Sequence, residues 1–399
     1  MYTRDKNFYD LVNGGLASLG YTGANGFNAF VNDMFAEKYN LDSFDNIGFP
    51  VNPDIPLNPT YEQIEVNVHP YTMAANVDID SDGPTKSPEG LTLNMGKLPT
   101  FKHEVVLSRK IIREKMLLAE QLGGTNAAID NTIADVLFNG VDDLLGGNYN
   151  TIGYLRHQVV SNEGKVVLDA TNNPLGIPLE LDFKVPAKNK VTSTWYKKTS
   201  SALTQDSKVG TTVDPVKVVR DLKRKAQQAD FAPSLHIEMS KTTFDDLISL
   251  PYFRSMYSVA NRPDITDAAQ QVAFGNLIGD DVMKAFLESI FGMKIVVVDA
   301  CSTVEKYNKS TQSVEFTSLE SFKEGVLAIV PDGAIGDIQF GQPLVMQTPN
   351  ARVAMYDGGR TLIRQLFNDE TMTQVVKSEF TGLVVPNKVR WMYYITIKD

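Results

Sequence analysis

The sequence predicts an α+β chain, and three observations carry that prediction. A helical apolar stripe over Ile129–Val160 is far longer than an ordinary helix, two period-two runs flank a polar tip before it, and strand and helix patterns mix after it. Within the stripe, Ile133, Val136, Leu137, Val141, Leu144 and Leu145 recur three or four apart, and the pattern resumes after Gly146-Gly147 at Ile152, Leu155 and Val159. A helical glycine costs about 1 kcal/mol relative to alanine, so the pair predicts a functional kink. A continuous helix of this extent would be about 45–50 Å long at ~1.5 Å per residue, which makes it a spine. It closes at Ser161-Asn162-Glu163-Gly164, where Gly164 suits the left-handed C′ position, and Lys165-Val166-Val167-Leu168 reads as a strand.

At 399 residues the chain has room for two or three domains, and 43% hydrophobic content is that of a soluble globular protein. The mean hydropathy of −0.17 agrees. No apolar run approaches the ~20 residues that span a bilayer, so no membrane partner is expected. The N-terminal MYTRDKNFYDLVNGG has no apolar core followed by a small-residue cleavage site, which predicts a chain that stays in the cell that makes it. One cysteine, Cys301, excludes an internal disulfide. With His69, His103, His157 and His236 scattered, no zinc site is expected either. A net charge of −10 argues against gripping nucleic-acid phosphates as a main task, although it is compatible with enclosing nucleic acid.

Residues 1–58 carry short helical signals, clearest over Phe27–Tyr39, and then Pro50, Pro53, Pro56 and Pro59, between which no regular element fits. They read as an extended arm that lies on another part of the chain or on a neighbour. Over 59–104 the period becomes two: Ile64, Val66 and Val68, a polar tip, then Leu91, Leu93 and Met95. This is an extended hairpin, marginal in water without a partner surface. Its tip matches a calcium loop at Asp78, Asp80, Asp82, Gly83 and Glu89. Strands rather than helices flank it and Pro84 and Pro88 crowd it, so it is taken as a solvated acidic tip and no metal site is assigned. Phe101, His103 and Val105 form a third alternating run, leading into a charged amphipathic segment over 107–122.

Segment 105–213 holds the spine, a strand pattern at Leu179, Leu181 and Phe183, and a polar stretch to Thr212 in which Trp195-Tyr196 reads as a packing anchor. A further domain, 214–345, opens at Asp214-Pro215, an N-cap followed by proline at N1, with a helix over Val216–Gln228. That helix has a basic face, Lys217, Arg220, Lys223, Arg224 and Lys225, which reads as solvated or as lining a contact between subunits. Ser234–Met239 is a strand, and Thr242-Thr243-Phe244-Asp245 resembles a capping box for a helix that stops near Pro251. Segment 261–276 reads as a loop, 280–291 as a helix ending at Gly292, and 294–299 as a buried strand. Strand-like runs at 353–355, 373–380 and 389–397 return, within 346–399, to the sheet beside the spine.

These residues in this order carry a resemblance. The run 149–167, NYNTIGYLRHQVVSNEGKV, resembles the end of the spine helix in tailed-phage major capsid proteins of the phage lambda type. GKLPTFKHEVVLSRKI resembles that family's return strand from its extended loop, and FGMKIVVVD followed by VLAIVPDGAIGDIQFG resembles its axial domain. The resemblance covers roughly residues 55–399 as an order of elements. It implies the tailed-phage major capsid fold: N-terminal arm, extended β-hairpin loop, peripheral domain with a long spine helix, and axial α+β domain. The implied function is a structural subunit of an icosahedral phage head enclosing double-stranded DNA, found in the virion and assembled in the host cytoplasm. The implied partners are further copies of itself in hexamers and pentamers, with portal, scaffolding and decoration proteins. An encapsulin-type shell protein sharing the fold is the related alternative.

No P-loop, dinucleotide fingerprint, nucleophile elbow, zincin pair or paired Cys-x-x-Cys is present, so the sequence assigns no catalytic, cofactor or metal residues. His103-Glu104 lacks a second histidine, and on a strand its side chains face opposite ways. Cys301 reads as an inert small hydrophobe. Lys86 and Lys97 lie in the hairpin without an identifiable acceptor, so no crosslink is assigned. An enzyme with its site in the axial domain is the reading from another class, and perturbed titratable groups in a deep pocket would support it.

Overall fold

The computed structural model describes residues 16–17, 20–23, 25–39, 48–67, 90–107, 126–199, 202–308, 313–343, 351–368 and 373–399, with isolated helical positions at 110, 113, 114, 117 and 121. The acidic tip over Asp78–Glu89 and most of the 107–122 segment lie outside these residues. In chain order the strands are β1 (Thr60–Asn67), β2 (Gly90–Lys97), β3 (Thr100–Leu107), β4 (Lys165–Leu168), β5 (Leu179–Asp182), β6 (Lys190–Lys198), β7 (Leu203–Gln205), β8 (Leu235–Ser240) and β9 (Lys294–Val298). They continue with β10 (Cys301–Asn308), β11 (Ser313–Glu320), β12 (Val326–Pro331), β13 (Gly336–Gly341), β14 (Ala351–Tyr356), β15 (Thr361–Asn368), β16 (Thr373–Pro386) and β17 (Tyr393–Lys398). The helices are α1 (Gly26–Lys38), α2 (Asn126–Ser161), α3 (Pro215–Ala229), α4 (Lys241–Ser249), α5 (Pro251–Asn261), α6 (Ala268–Gly275) and α7 (Asp280–Phe291).

The spine is α2, 36 residues long, or about 54 Å at ~1.5 Å per residue. It runs through Gly146-Gly147 without interruption, so the expected break is absent. It ends as its sequence indicates, with Gly164 at φ +74° and its amide on the Val159 carbonyl at 3.1 Å.

Two larger sheets flank the spine. One has the order β7-β6-β17-β12-β8-β9, with β6–β17 and β8–β9 parallel. The other is antiparallel, β13-β16-β15-β14, with β3 also paired to the long β16. Strand β12, VLAIVP, is buried along its whole length because it serves two cores. Leu327 and Ile329 face a core built with Val219, Leu222, Leu247 and Leu287 of the helices. Val326, Ala328 and Val330 face Ile152, Leu155 and Val159 of the spine. Burial on both faces is why this strand reads as an unbroken apolar run.

The arm lies on its own chain. Phe27, Phe30 and Val31 of α1 pack with Val141, Leu144 and Leu145 of the spine and Ile363 and Val376 of the second sheet. The proline-rich stretch then runs along β13: Asn52 N donates to Ile338 O and Ile338 N to Pro50 O, both at 2.9 Å. Its carbonyls and amides are thus satisfied without a strand partner of regular length.

Several elements differ from the sequence reading. The helix α4 stops at Ser249, near Pro251 as expected, but Pro251 also opens a further helix, α5, at N1. The N-cap of α4 is Ser240, whose Oγ accepts from Thr243 N at 3.1 Å, rather than Thr242. The expected loop over 261–276 contains α6, capped by Asp267 Oδ1 on Gln270 N. Strand β9 is an edge with Lys294 and Val296 exposed, not a buried strand, and Cys301 is exposed rather than packed. Trp195 and Tyr196 are fully buried, but within β6 rather than in a connection. The final strand, β17, joins the six-stranded sheet through β6 and β12, whereas β14, β15 and β16 form the antiparallel sheet.

Candidate functional site

Strands β1 and β2 form a two-stranded antiparallel hairpin in which Ile64 stands opposite Leu93 and Glu62 opposite Met95. Side chains directly opposite share a face, so Ile64, Leu93 and Met95 line one side. They are 48%, 55% and 58% exposed. Full burial of such a side chain is worth roughly 1.5–3 kcal/mol, so covering three half-exposed ones would release about 3 kcal/mol per hairpin. The root of the hairpin is fixed from the opposite face. Gln63 is buried and its Nε2 donates to Pro386 O at 2.9 Å and Phe183 O at 3.3 Å. Gln339 grips the same strand from the other sheet: its Oε1 accepts from Glu62 N at 2.9 Å and its Nε2 donates to Glu62 O at 2.7 Å. Gly96 is needed where Tyr61 crosses, because a Cβ there would stand 2.5 Å from the ring. The root is thus clamped to its own chain while the apolar face of the hairpin is left uncovered.

The return strand β3 meets the spine at two helical glycines, Gly140 and Gly147, and the arm meets it at Gly146. A Cβ on Gly140 would touch Val105 at 3.4 Å, and one on Gly147 would stand 2.5 Å from His103 Cε1. Gly146 lies against Tyr39, whose hydroxyl would be 2.9 Å from an added Cβ. The double glycine therefore permits close approach of the arm and of β3. His103 Nε2 lies 2.8 Å from Asn148 Oδ1, while Asn148 Nδ2 donates to Tyr356 Oη at 2.8 Å and Ser378 Oγ at 2.6 Å. Ser378 stands opposite His103 in the β3–β16 register. Burial lowers the His103 pKa below its usual 6.5, only partly offset by its bonds to Asn148 and the Leu144 carbonyl. Nothing in the sequence links these four segments, because the alternation around His103 marks a strand but not what it faces.

A buried charge network joins the other end of the spine to the six-stranded sheet. Arg156 Nη2 donates to Glu238 Oε1 at 2.8 Å, with side chains 3% and 2% exposed. His236 bridges Glu238 Oε1 at 3.2 Å and Asp332 Oδ1 at 2.8 Å. Burial would raise the Glu238 pKa, but Arg156 and His236 hold it down at about 2. Burial likewise opposes the charged form of His236, yet the bonds to Glu238 and Asp332 raise its pKa above 6.5. His157, by contrast, is pushed down to about 3 by burial and then by Arg156.

The basic helix α3 is used within the subunit. Arg220 Nε donates to Ile290 O and Lys223 Nζ to Gly292 O, each at 2.6 Å, and Lys225 Nζ reaches Lys188 O. The first two therefore cap the carboxyl end of α7, where free carbonyls and the helix dipole favour cations. Among the described residues no three His, Cys, Asp or Glu side chains converge as on a metal ion, and no helix is long and apolar enough to cross a membrane. Lys97 is exposed at the end of β2, and Lys86 lies outside the described residues.

Residues 44–351 match the family model of phage major capsid protein E. Among solved structures the chain is similar to a candidate capsid protein of a prophage of E. coli CFT073, at 13% identity and a TM-score of 0.47, covering 94% of this chain and 99% of that one. It is similar to a chain of the satellite phage P4 procapsid, at 10% identity and a TM-score of 0.43, covering 100% of this chain and 93% of that one. A third similarity is to the capsid of Ralstonia phage GP4, at 10% identity and a TM-score of 0.42, covering 89% and 91%. No curated protein matches the chain. The family model spans well over half of the 399 residues, and the chain belongs to the phage major capsid protein E family as a structural protein of the capsid.

Proposed function

We propose that this capsid protein builds a closed icosahedral head by self-association into hexamers and pentamers, each copy laying the apolar blade of its β1–β2 hairpin on a neighbour. The observation that carries the reading is the uncovered face of Ile64, Leu93 and Met95 on a two-stranded sheet whose root is fixed to its own chain. An elongated subunit buries less of its surface than a compact one, and a hairpin of two strands is marginal alone, so association supplies what the monomer lacks. The shell encloses double-stranded DNA without sequence-specific contacts, in keeping with the net charge of −10 and with the internal use of Arg220 and Lys223. Portal, scaffolding and decoration proteins are its further partners, assembly takes place in the host cytoplasm, and the role requires no catalysis.

The division of labour we infer follows the same lines: an arm over 1–58, the hairpin over 59–104, a peripheral unit over 105–213 and an axial unit over 214–345. The remainder, 346–399, is shared, with β14–β16 beside the spine and β17 in the six-stranded sheet. The test is electron microscopy of the purified chain beside a variant carrying Ile64→Ser, Leu93→Ser and Met95→Ser. Closed shells from the first and soluble, unassembled subunits from the second are expected. Closed shells from both would remove the hairpin face from the assembly mechanism.

A further inference from the structure

On β13, Asp337 and Gln339 are two residues apart and share the face turned away from Ile338 and Phe340, which lie in the core beside the spine. Among the described residues the Asp337 carboxylate accepts from three side-chain amides, one on the arm, one on β13 and one in the turn after β16. Asn52 Nδ2 donates to its Oδ2 at 3.1 Å, Gln339 Nε2 to the same oxygen at 2.9 Å, and Asn387 Nδ2 to its Oδ1 at 2.5 Å. A carboxylate has no N–H to offer, so the Gln339 amide can turn only one way, with Nε2 toward Asp337 and the Glu62 carbonyl and Oε1 toward the Glu62 N–H. In that orientation one side chain gives Glu62 both of the hydrogen bonds that a neighbouring strand would give. Asn52 is held to a single orientation as well, because its Oδ1 accepts from Asp54 N at 2.9 Å. Asn387 is not: among the described residues its buried Oδ1 has no hydrogen-bond partner.

We propose that Asp337 is the positioning residue of the hairpin: it fixes the Gln339 amide that grips β1 and, through Asn52 and Asn387, makes that grip depend on the seating of the arm and of the turn after β16. Among the described residues neither the Asn52 nor the Asn387 side chain hydrogen-bonds to β1, so their route to it runs through Asp337 and Gln339. The arm is secured at the same point, since Asn52 N donates to Ile338 O at 2.9 Å and its carbonyl accepts from Arg360 Nη2 at 3.3 Å. Three donors converging on one side chain require an acceptor at both of its ends, which is why an aspartate stands here. Asp337→Asn keeps one acceptor oxygen for Asn52 and Gln339 and turns an N–H toward Asn387, whose unpartnered Oδ1 can rotate to accept it. Asn387→Asp cannot be accommodated in that way, because it sets two acceptors against each other. The hairpin need not touch a neighbour for any of this, so the subunit by itself carries the effect.

Hydrogen exchange of the purified full chain at neutral pH, resolved to the Glu62 amide, tests this. Asn387→Asp and Asp337→Ala should each speed exchange of that amide by about tenfold or more, the loss of a hydrogen bond to a charged group, with the amides of β12 unchanged. Asp337→Asn alone should stay within about twofold of the unmodified chain. Combining Asn387→Asp with Asp337→Asn exchanges the acceptor and donor ends of the pair, and protection of Glu62 should return. The combination also separates a second route, since Pro386, whose carbonyl holds Gln63, is the residue before Asn387. Unchanged Glu62 exchange in Asn387→Asp or Asp337→Ala would overturn the proposal. Loosening in Asn387→Asp that Asp337→Asn does not reverse would overturn it as well, and would assign the effect to Pro386 and Gln63.

Discussion

Replacing Gly140, Gly146 and Gly147, three of the four spine glycines, one at a time by alanine should produce three different results on one helix, ordered by what each new methyl group meets. Alanine gains about 1 kcal/mol over glycine inside a helix when nothing opposes it. At Gly140 the nearest atom to the new Cβ is a Val105 methyl at 3.4 Å, an ordinary contact, so Gly140→Ala should stabilise by about 0.5–1 kcal/mol. At Gly146 the obstacle is the Tyr39 hydroxyl at 2.9 Å, the far end of a side chain that can turn aside at the loss of its bond to Asp142, worth about 1 kcal/mol. Gain and loss cancel, and Gly146→Ala should be close to neutral. At Gly147 the methyl would stand 2.5 Å from Cε1 and 3.0 Å from Nδ1 of His103, a ring pinned by Asn148. Overpacking of about 1–3 kcal/mol plus about 1 kcal/mol for the broken hydrogen bond exceeds the helix gain, so Gly147→Ala should destabilise by about 1–3 kcal/mol. Urea denaturation of the unassembled subunit, followed by circular dichroism, reads all three. A Gly147→Ala variant as stable as Gly140→Ala would refute the close-approach argument and return the pair to a role in bending.

Other outcomes follow from the charge networks. Arg156→Met should destabilise by about 3 kcal/mol in thermal or chemical denaturation, since it leaves Glu238 buried with His236 alone beside it; adding Glu238→Gln should recover much of that loss. Glu238 has its folded pKa depressed to about 2 from 4.5, so its contribution is complete above pH 4.5 and lost as pH falls through about 2, and acid titration of Glu238→Gln should lack that component. His103 behaves in the same sense in its own range, with stability present above pH 6.5 and lost as pH falls through its lower folded value. Replacing Arg220 and Lys223 by Gln should cost about 0.5–1 kcal/mol each through the uncapped end of α7, and a filter-binding assay should find no change in DNA binding by the free subunit.

The spine was legible because a 3.6-residue period sustained over 36 residues has no competing explanation. The same is true of the hairpin, the Asp214-Pro215 start of α3 and the Gly292 stop of α7, all of which are local signals. What the sequence did not disclose depends on partners far along the chain. Gly146-Gly147 can be seen as glycines, but whether they bend a helix or admit a neighbour is decided by Tyr39 and His103. Pro251 is equally compatible with the end of one helix and the first turn of the next. The β10–β11 hairpin escaped notice because only Val304 among its described side chains is buried, so its alternation is not one of apolar and polar residues. The placement of β17 is set by a parallel pairing with β6, across some two hundred residues, which no local pattern encodes.

The clamp on the hairpin root also sets an order of events in synthesis. Gln63 is held by the carbonyl of Pro386, and the arm at Pro50 and Asn52 is held by Ile338, so both attachments wait for the last part of a 399-residue chain. Contacts this distant along the sequence close late in folding. A nascent chain can form its spine while still on the ribosome, yet it cannot orient its hairpin until nearly every residue has been made. The exposed face of Ile64, Leu93 and Met95 therefore becomes aimed only on complete subunits, and truncated chains lack the contacts that fix it.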